Sequence, residues 1–155
     1  MKTLKCNCRS NRSGEGLVIV IILLAIIGAG TWWLFDHKRT LDHDARIFGK
    51  EAIQRLTVNH DAAFLANNLS PQARLELPPS AQLFMMTKFT EMGVPTQPIN
   101  VEEKVEFESH FFEPKGYFTA HLFYPGQAAT LQVAVSHPVG KWQLDNLTFT
   151  PERVR

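Results

Sequence analysis

The chain has 155 residues, a hydrophobic content of 45% and a formal net charge of +1. The charge is uneven, because four Lys and Arg residues against Glu15 give residues 1–15 a charge of +3, whereas residues 36–155 are mildly acidic. The acidic part carries no Lys/Arg cluster, which argues against nucleic acid as a partner. Residues 36–155 are long enough for one domain with one hydrophobic core.

Both cysteines, Cys6 and Cys8, stand in the basic tail. Residues 36–155 therefore contain no disulfide. We interpret the pair as free thiols in a reducing cytoplasm, with metal binding and acylation beside a membrane as alternatives. Two thiolates do not complete a tetrahedral metal site, so the sequence predicts no metal and no cofactor.

Residues 16–35 contain no charged side chain and predict a transmembrane helix. As a helix, this stretch is about 30 Å long, which matches the thickness of a bilayer's hydrocarbon core. Trp32 and Trp33 stand near its C-terminal end, where tryptophan favours the membrane interface. The predicted organisation is a cytoplasmic basic tail (residues 1–15), a membrane anchor (residues 16–35) and an exported domain (residues 36–155).

The basic tail also predicts the orientation of the anchor. The positive-inside rule places the N-terminus in the cytoplasm and the C-terminal domain outside, in the inner membrane of a bacterial envelope. A cleaved signal peptide is an alternative, because small residues at 28–30 resemble a cleavage site, but the apolar run continues to Phe35. A pilin-like leader is disfavoured because position 21 holds Ile21 and not glutamate.

The first part of the exported domain has the pattern of helices. Apolar residues recur at steps of three and four from Leu41 to Leu56, which predicts an amphipathic helix. Asp61 is the predicted cap of a short helix over residues 62–66, and Ser70 is a predicted cap before Pro71. Ser80 is the predicted cap of a third helix over residues 81–92.

After residue 94 the pattern changes to that of strands. Four strands are predicted, over residues 101–112, 117–124, 127–136 and 142–149. The breaks between them are short and rich in Pro and Gly, which predicts successive antiparallel hairpins. Symmetric turns would place Phe112 opposite Tyr117, Tyr124 opposite Gln127, and His137 opposite Gly140.

This register separates an apolar face from a polar one, as expected when helices cover one side of an antiparallel sheet. The inner face would hold three polar residues, Ser109, Tyr124 and Asn146. The predicted fold class is α+β, with an N-terminal transmembrane helix followed by helices packed on a curved four-stranded antiparallel sheet.

This order of elements resembles the nuclear-transport-factor-2-like superfold, also called cystatin-like or SnoaL-like. The resemblance rests on a long helix over residues 44–57, the short helix at Asp61, the Ser70-Pro71 turn, the helix over 80–93 and the strands ending at 140–144. It implies a cystatin-like roll, as in small bacterial membrane-anchored exported domains. The tail, anchor and domain are also similar in layout to an inner-membrane subunit of type IV secretion systems, whose periplasmic domain is longer. The superfold includes enzymes, binders and scaffolds, so it does not select a function.

Two groups of residues are candidate sites. A pocket for a small apolar ligand between helices and sheet would be lined by aromatic side chains: Phe48, Phe84, Phe107, Phe111, Tyr124 and Trp142. On the outer face, the predicted register brings together a polar cluster of Glu108, His110, His121 and Thr130, with Glu108 directly opposite His121. Ordinary core rings and a solvated cross-strand pair are the simpler interpretations of these two groups.

No acid–base pair is predicted on the inner face, and no phosphate-binding loop or nucleophile elbow is present. We therefore expect no catalytic residue and no enzyme. The leading hypothesis is a single-pass membrane protein whose exported domain is an interaction or assembly module, with the bilayer, itself or other envelope proteins as partners. A binder of a small apolar ligand is the alternative.

Overall fold

The computed structural model describes residues 12–109, 112–138 and 140–152. The predicted site residues His110 and Phe111, as well as Cys6 and Cys8 of the tail, lie outside these ranges. The chain divides into two compact units, Met1–His37 and Lys38–Arg155.

A single helix, α1 (Arg12–Thr57), includes both the predicted anchor and the predicted amphipathic helix. The five residues between the two predicted helices, 36–40, include neither Pro nor Gly. Nothing in this stretch ends a helix, and the helix continues through it.

The C-terminal part of α1 carries the predicted apolar stripe. Ala45, Ala52, Ile53 and Leu56 are fully or almost fully buried, and Phe48 is half-buried. The periodicity of three and four therefore identified the face of the helix that packs on the core.

Three shorter helices follow: α2 (Ala62–Asn68), α3 (Pro71–Glu76) and α4 (Pro79–Met92). The predicted caps of the first two are confirmed. An Asp61 carboxylate oxygen accepts a hydrogen bond from Phe64 N at 2.9 Å, and Ser70 Oγ accepts one from Ala73 N at 3.2 Å. The predicted Ser80 cap is wrong, because α4 begins at Pro79, whose fixed φ suits a first helical position.

Four strands complete the domain: β1 (Asn100–Ser109), β2 (Phe112–Tyr124), β3 (Gln127–Ser136) and β4 (Gln143–Glu152). They form one open antiparallel sheet in the order β1-β2-β3-β4. The α+β class and the succession of hairpins are as predicted, and Tyr124 lies opposite Gln127 as expected.

The predicted register of the first hairpin is wrong by eight residues, because Tyr117 lies opposite Lys104 and not opposite Phe112. Strand β2 runs through the expected Pro114 turn. At this end of β2, the last residue that pairs with β3 is Lys115, opposite Ser136. Pro114 lies one residue beyond this pair, so the missing N–H of the proline removes no hydrogen bond between β2 and β3. The shift is even, so the side chains keep the faces that were predicted.

The last hairpin also departs from the prediction. Ser136 pairs with Gln143 and Val135 pairs with Leu144, but the next pair is Ala134 with Asn146. Strand β4 therefore has one extra residue at this point, which forms a bulge. The extra residue in β4 reverses the faces beyond it. Asn146, predicted to point inward, is therefore exposed, and Leu147 is buried.

The core of the Lys38–Arg155 unit lies between one sheet face and the helices. Its largest fully buried side chains include Phe89 of α4, Phe118 of β2 and Leu131 of β3. The rings of Phe89 and Phe149 meet edge to face at 4.9 Å between centroids. The described side chains of the opposite sheet face are partly exposed, as at Thr119 and His121, or exposed, as at Tyr117 and Phe123.

Candidate functional site

The apolar half of α1 buries almost nothing. Its large apolar side chains from Leu17 to Ile27 are between 52% and 64% exposed, and none of its most apolar 18-residue window, of mean hydropathy 2.6, is buried. Within the described residues, this is the one helix long and apolar enough to cross a membrane. A core helix of a soluble domain would be mostly buried, whereas a signal sequence near the N-terminus would share these properties.

The two predicted interface tryptophans lie on this helix. Trp32 is 72% exposed, and the ring of Trp33 stacks on His37, with 5.5 Å between centroids and an interplanar angle of 3°. Rings that are apolar on their faces and polar at one edge suit the boundary between lipid and water.

The predicted polar cluster on the outer sheet face forms only in part. His121 and Thr130 lie opposite each other, with 3.5 Å between His121 Nδ1 and Thr130 Oγ1. Thr130 Oγ1 also donates a hydrogen bond to a Glu152 carboxylate oxygen at 2.7 Å, and a Glu102 carboxylate oxygen lies 4.0 Å from His121 Nε2.

Glu108 does not belong to this cluster, so the predicted Glu108–His121 pair is wrong. The eight-residue shift of register moves Glu108 toward Lys115, with which it forms an ion pair at 2.7 Å. This contact raises the pKa of Lys115, chiefly through the hydrogen bond to Glu108. The carboxylate beside His121 is Glu102, which a correct register would have identified.

The outer face also carries two exposed rings and a shallow depression, and one of the rings, Tyr117, is part of the lining. Tyr117 and Phe123 of β2 are 45% and 43% exposed. The depression has a volume of about 290 Å³, and its lining includes Tyr117, Thr119, Gln132, Ala134, Asn146 and Thr148. Aromatic side chains are enriched in the surfaces through which proteins bind each other.

The five described aromatic residues that were predicted to line an inner pocket do not meet in one place. Phe48 contacts Trp142 and Phe64, with 6.1 and 6.0 Å between ring centroids. Phe84 is 66% exposed on α4, where Lys88 lies over its ring at 5.6 Å, and Phe107 lies under Lys38 at 4.7 Å. Most of these rings therefore pack as core or surface groups, as the simpler interpretation expected.

Tyr124 is the most constrained member of that set. It is 5% exposed, and its hydroxyl is buried without a hydrogen-bond partner. Burial raises the pKa of Tyr124 to about 12, because a phenolate would be poorly solvated there.

A carboxylate that the sequence analysis missed lies on the helix-covered side of the sheet. Glu103 Oε1 is 3.2 Å from Lys50 Nζ and 3.5 Å from Arg46 Nη1, whereas its Oε2 is buried without a partner. Arg46 also binds Asp42 at 2.9 Å, and this contact is the main cause of its raised pKa. Simple alternation back from Val105 would have placed Glu103 on this face.

A groove lies beside this ion cluster, between α1 and the edge strand β1. It has a volume of about 490 Å³ and is lined by Lys50, Ile53, Gln54, Val58, Ile99 and Val101. Of the predicted pocket residues that lie in the described ranges, Phe48, Phe84, Phe107, Tyr124 and Trp142, none lines this groove.

Within the ranges that the structure covers, no group of three or more His, Cys, Asp or Glu residues could hold a metal ion. Comparisons with protein-family models, with curated proteins and with solved structures found no match to this chain.

Proposed function

We propose that this chain is a single-pass membrane protein whose C-terminal domain is a non-enzymatic interaction or assembly module. The observation that carries the proposal is the outer face of the sheet. It presents the exposed rings of Tyr117 and Phe123 and an open depression, and no described helix covers it. A surface with these properties favours a protein partner over a small molecule, because nothing encloses a ligand there.

The anchor supports the same proposal. An exposed apolar helix is unfavourable in water and favourable in a bilayer. The basic tail before it favours an N-terminus in the cytoplasm and a domain on the outer side of the inner membrane. In this proposal the domain has the cystatin-like roll that its order of elements resembles.

Catalysis is not part of the proposal, although Glu103 lies on the inner side of the sheet. Its carboxylate contacts two cations, Arg46 and Lys50, and no histidine or second carboxylate is among its ion-pair contacts. This arrangement suits a structural ion cluster better than general acid–base catalysis, which requires a group that exchanges protons near neutral pH.

The test of the docking surface is cross-linking of the full-length chain in membranes, followed by purification. The double variant Tyr117→Ser/Phe123→Ser removes the exposed rings from the outer face. The control, Leu83→Ser/Phe84→Ser, removes two apolar side chains from α4 that are more exposed than Tyr117 and Phe123. We expect the first variant to lose the captured partners and the control to keep them. Equal capture by both variants would contradict the proposed surface.

The anchor is tested separately with an N-terminal tag. A membrane anchor keeps the tag on the full-length chain, resists alkaline extraction and leaves the domain open to protease from outside. Loss of the tag with release of the domain would identify a cleaved signal peptide.

A further inference from the structure

The two edges of the sheet differ. At the β4 edge, Leu69 forms an isolated bridge with Leu144, and Ser70 N donates a hydrogen bond to Leu144 O at 2.9 Å. At the other edge, no described strand lies beyond β1. Strand β1 therefore offers a row of backbone groups to an incoming strand.

The direction of these groups follows from the neighbouring strand. Thr96 N donates a hydrogen bond to Phe123 O at 2.8 Å, so this carbonyl points to the β1 side of β2. Backbone groups alternate in direction along a strand, so odd-numbered residues of β2 bond to their even-numbered partners in β1. The odd-numbered residues Val101, Glu103 and Val105 consequently direct their N–H and C=O groups to the free edge.

We propose that a second copy of this chain pairs with β1 in antiparallel fashion about a two-fold axis at Val105, which joins the two sheets into one. An isologous contact of this kind uses the same surface on both subunits. The proposal does not depend on the outer sheet face, because the edge and that face are different surfaces.

Charge selects this register. A two-fold axis at Val105 places Lys104 opposite the partner's Glu106 and Glu106 opposite the partner's Lys104. Opposite charges across strands stabilise the pair. At the ends of the ladder Glu102 and Glu108 would face each other, but Glu108 is already paired with Lys115 at 2.7 Å.

The competing registers are less favourable. An axis at Lys104 would place two lysines opposite each other and Glu102 opposite the partner's Glu106 on both sides. An axis at Glu103 would place Lys104 opposite the partner's Glu102 on both sides, but it would also bring together two Glu103 carboxylates, each with one oxygen that is already buried without a partner. An axis at Phe107 would place Glu106 opposite the partner's Glu108 on both sides.

Edge strands usually carry charges that prevent such pairing, and β1 is rich in them. Here the alternation of Glu and Lys is complementary about Val105 and about Glu103, and the two Glu103 carboxylates disfavour the second axis. The same charges would therefore exclude most other strands and admit a second copy.

The test is disulfide formation in membranes by full-length chains in which Cys6 and Cys8 are replaced by Ser. In the Val105→Cys variant, the two thiols would meet across the axis, because directly opposed residues of a hydrogen-bonded pair have Cα atoms about 5.5 Å apart. Glu103→Cys tests the competing axis, and Phe123→Cys is an exposed control on the outer face. We expect a dimer band under oxidising, non-reducing conditions with Val105→Cys and only collisional background with the other two. A Val105→Cys signal no higher than that of Phe123→Cys, or a preference for Glu103→Cys, would overturn the proposal.

Charge reversal provides a second readout, measured on chains with the cysteine at position 105. Lys104→Glu and Glu106→Lys each place like charges across the axis twice, and we expect each to reduce the dimer roughly tenfold. The double reversal restores opposite charges and should restore the dimer. A double variant no better than the single ones would overturn the proposed register. Unchanged cross-linking in the Tyr117→Ser/Phe123→Ser variant is expected, and this result separates the edge contact from the outer-face function.

Discussion

The ring of Phe118 occupies the space that a side chain at Gly49 would need. A Cβ atom built on Gly49 would overlap this ring, and one built on Gly116 would lie 2.6 Å from Phe118 Cε2. Helix α1 and strand β2 therefore approach closely because a glycine stands on each side of a buried ring.

Gly49→Ala tests this close approach. Alanine is the better helix former, but its methyl group would displace a ring that is 1% exposed, and overpacking of this kind costs about 1–3 kcal/mol. We expect a lower free energy of unfolding, measured by urea denaturation of the detergent-solubilised chain. The control is Gly30→Ala, also in α1, whose Cβ would meet nothing within 4 Å. Equal effects of the two substitutions would contradict the packing argument.

The elements were predictable where a local signal decides them. The apolar stripe of α1, the caps Asp61 and Ser70, and the limits of β3 all follow from short-range patterns. The registers of β1 and β4 were not predictable in this way. Proline is a common turn former, so Pro114 was expected to lie in a turn. It lies beyond the last pair between β2 and β3, where its missing N–H removes no hydrogen bond, and this position is apparent only from the pairing of the strands.

The bulge in β4 gives the second prediction. Leu147→Ala removes a side chain that is 9% exposed within the core cluster, and such truncations cost about 2–5 kcal/mol. Asn146→Ala changes an exposed side chain and should alter stability by less than about 0.5 kcal/mol. Urea denaturation of both variants measures the difference. If the strand had no bulge, the order of the two effects would be reversed.

The candidate sites were harder to predict than the fold, because each depended on a register. The predicted Glu108–His121 pair depended on a register of β1 and β2 that differs from the observed register by eight residues. Glu103 was overlooked because a charge is unexpected on an inner face, yet at an edge strand it reaches Arg46 and Lys50. The groove between α1 and β1 has no local signal, since its lining comes from residues far apart in the chain.

Glu103→Gln is the third prediction. The side chains of Glu103 and Lys50 are 24% and 55% exposed, so their attraction is screened by solvent. We expect the free energy of unfolding to fall by about 0.5–1 kcal/mol in low salt and by less in 1 M salt. The control, Glu91→Gln, breaks the more exposed pair with Lys88 and should have little effect. A loss that salt does not reduce would contradict an electrostatic role.

Tyr124→Phe is the fourth prediction and concerns the buried hydroxyl without a hydrogen-bond partner. Phenylalanine keeps the ring and removes the polar atom, and an unsatisfied buried polar group costs about 1–3 kcal/mol. We therefore expect the variant to be more stable than the natural chain at pH 7. Tyr117→Phe is the control, because that hydroxyl belongs to a ring that is 45% exposed.

Tyr124 is also expected to make the stability of the folded chain depend on pH. Burial raises the pKa of Tyr124 to about 12 in the folded chain, whereas an unfolded tyrosine has a pKa of about 10. The stability that this difference represents is complete below pH 10 and is lost as the pH rises toward 12, because the unfolded chain ionises first. Two pKa units correspond to about 2.7 kcal/mol. Denaturation between pH 9 and pH 11 should therefore show a steeper loss in the natural chain than in Tyr124→Phe. Parallel pH profiles would show that the Tyr124 hydroxyl has access to water in solution.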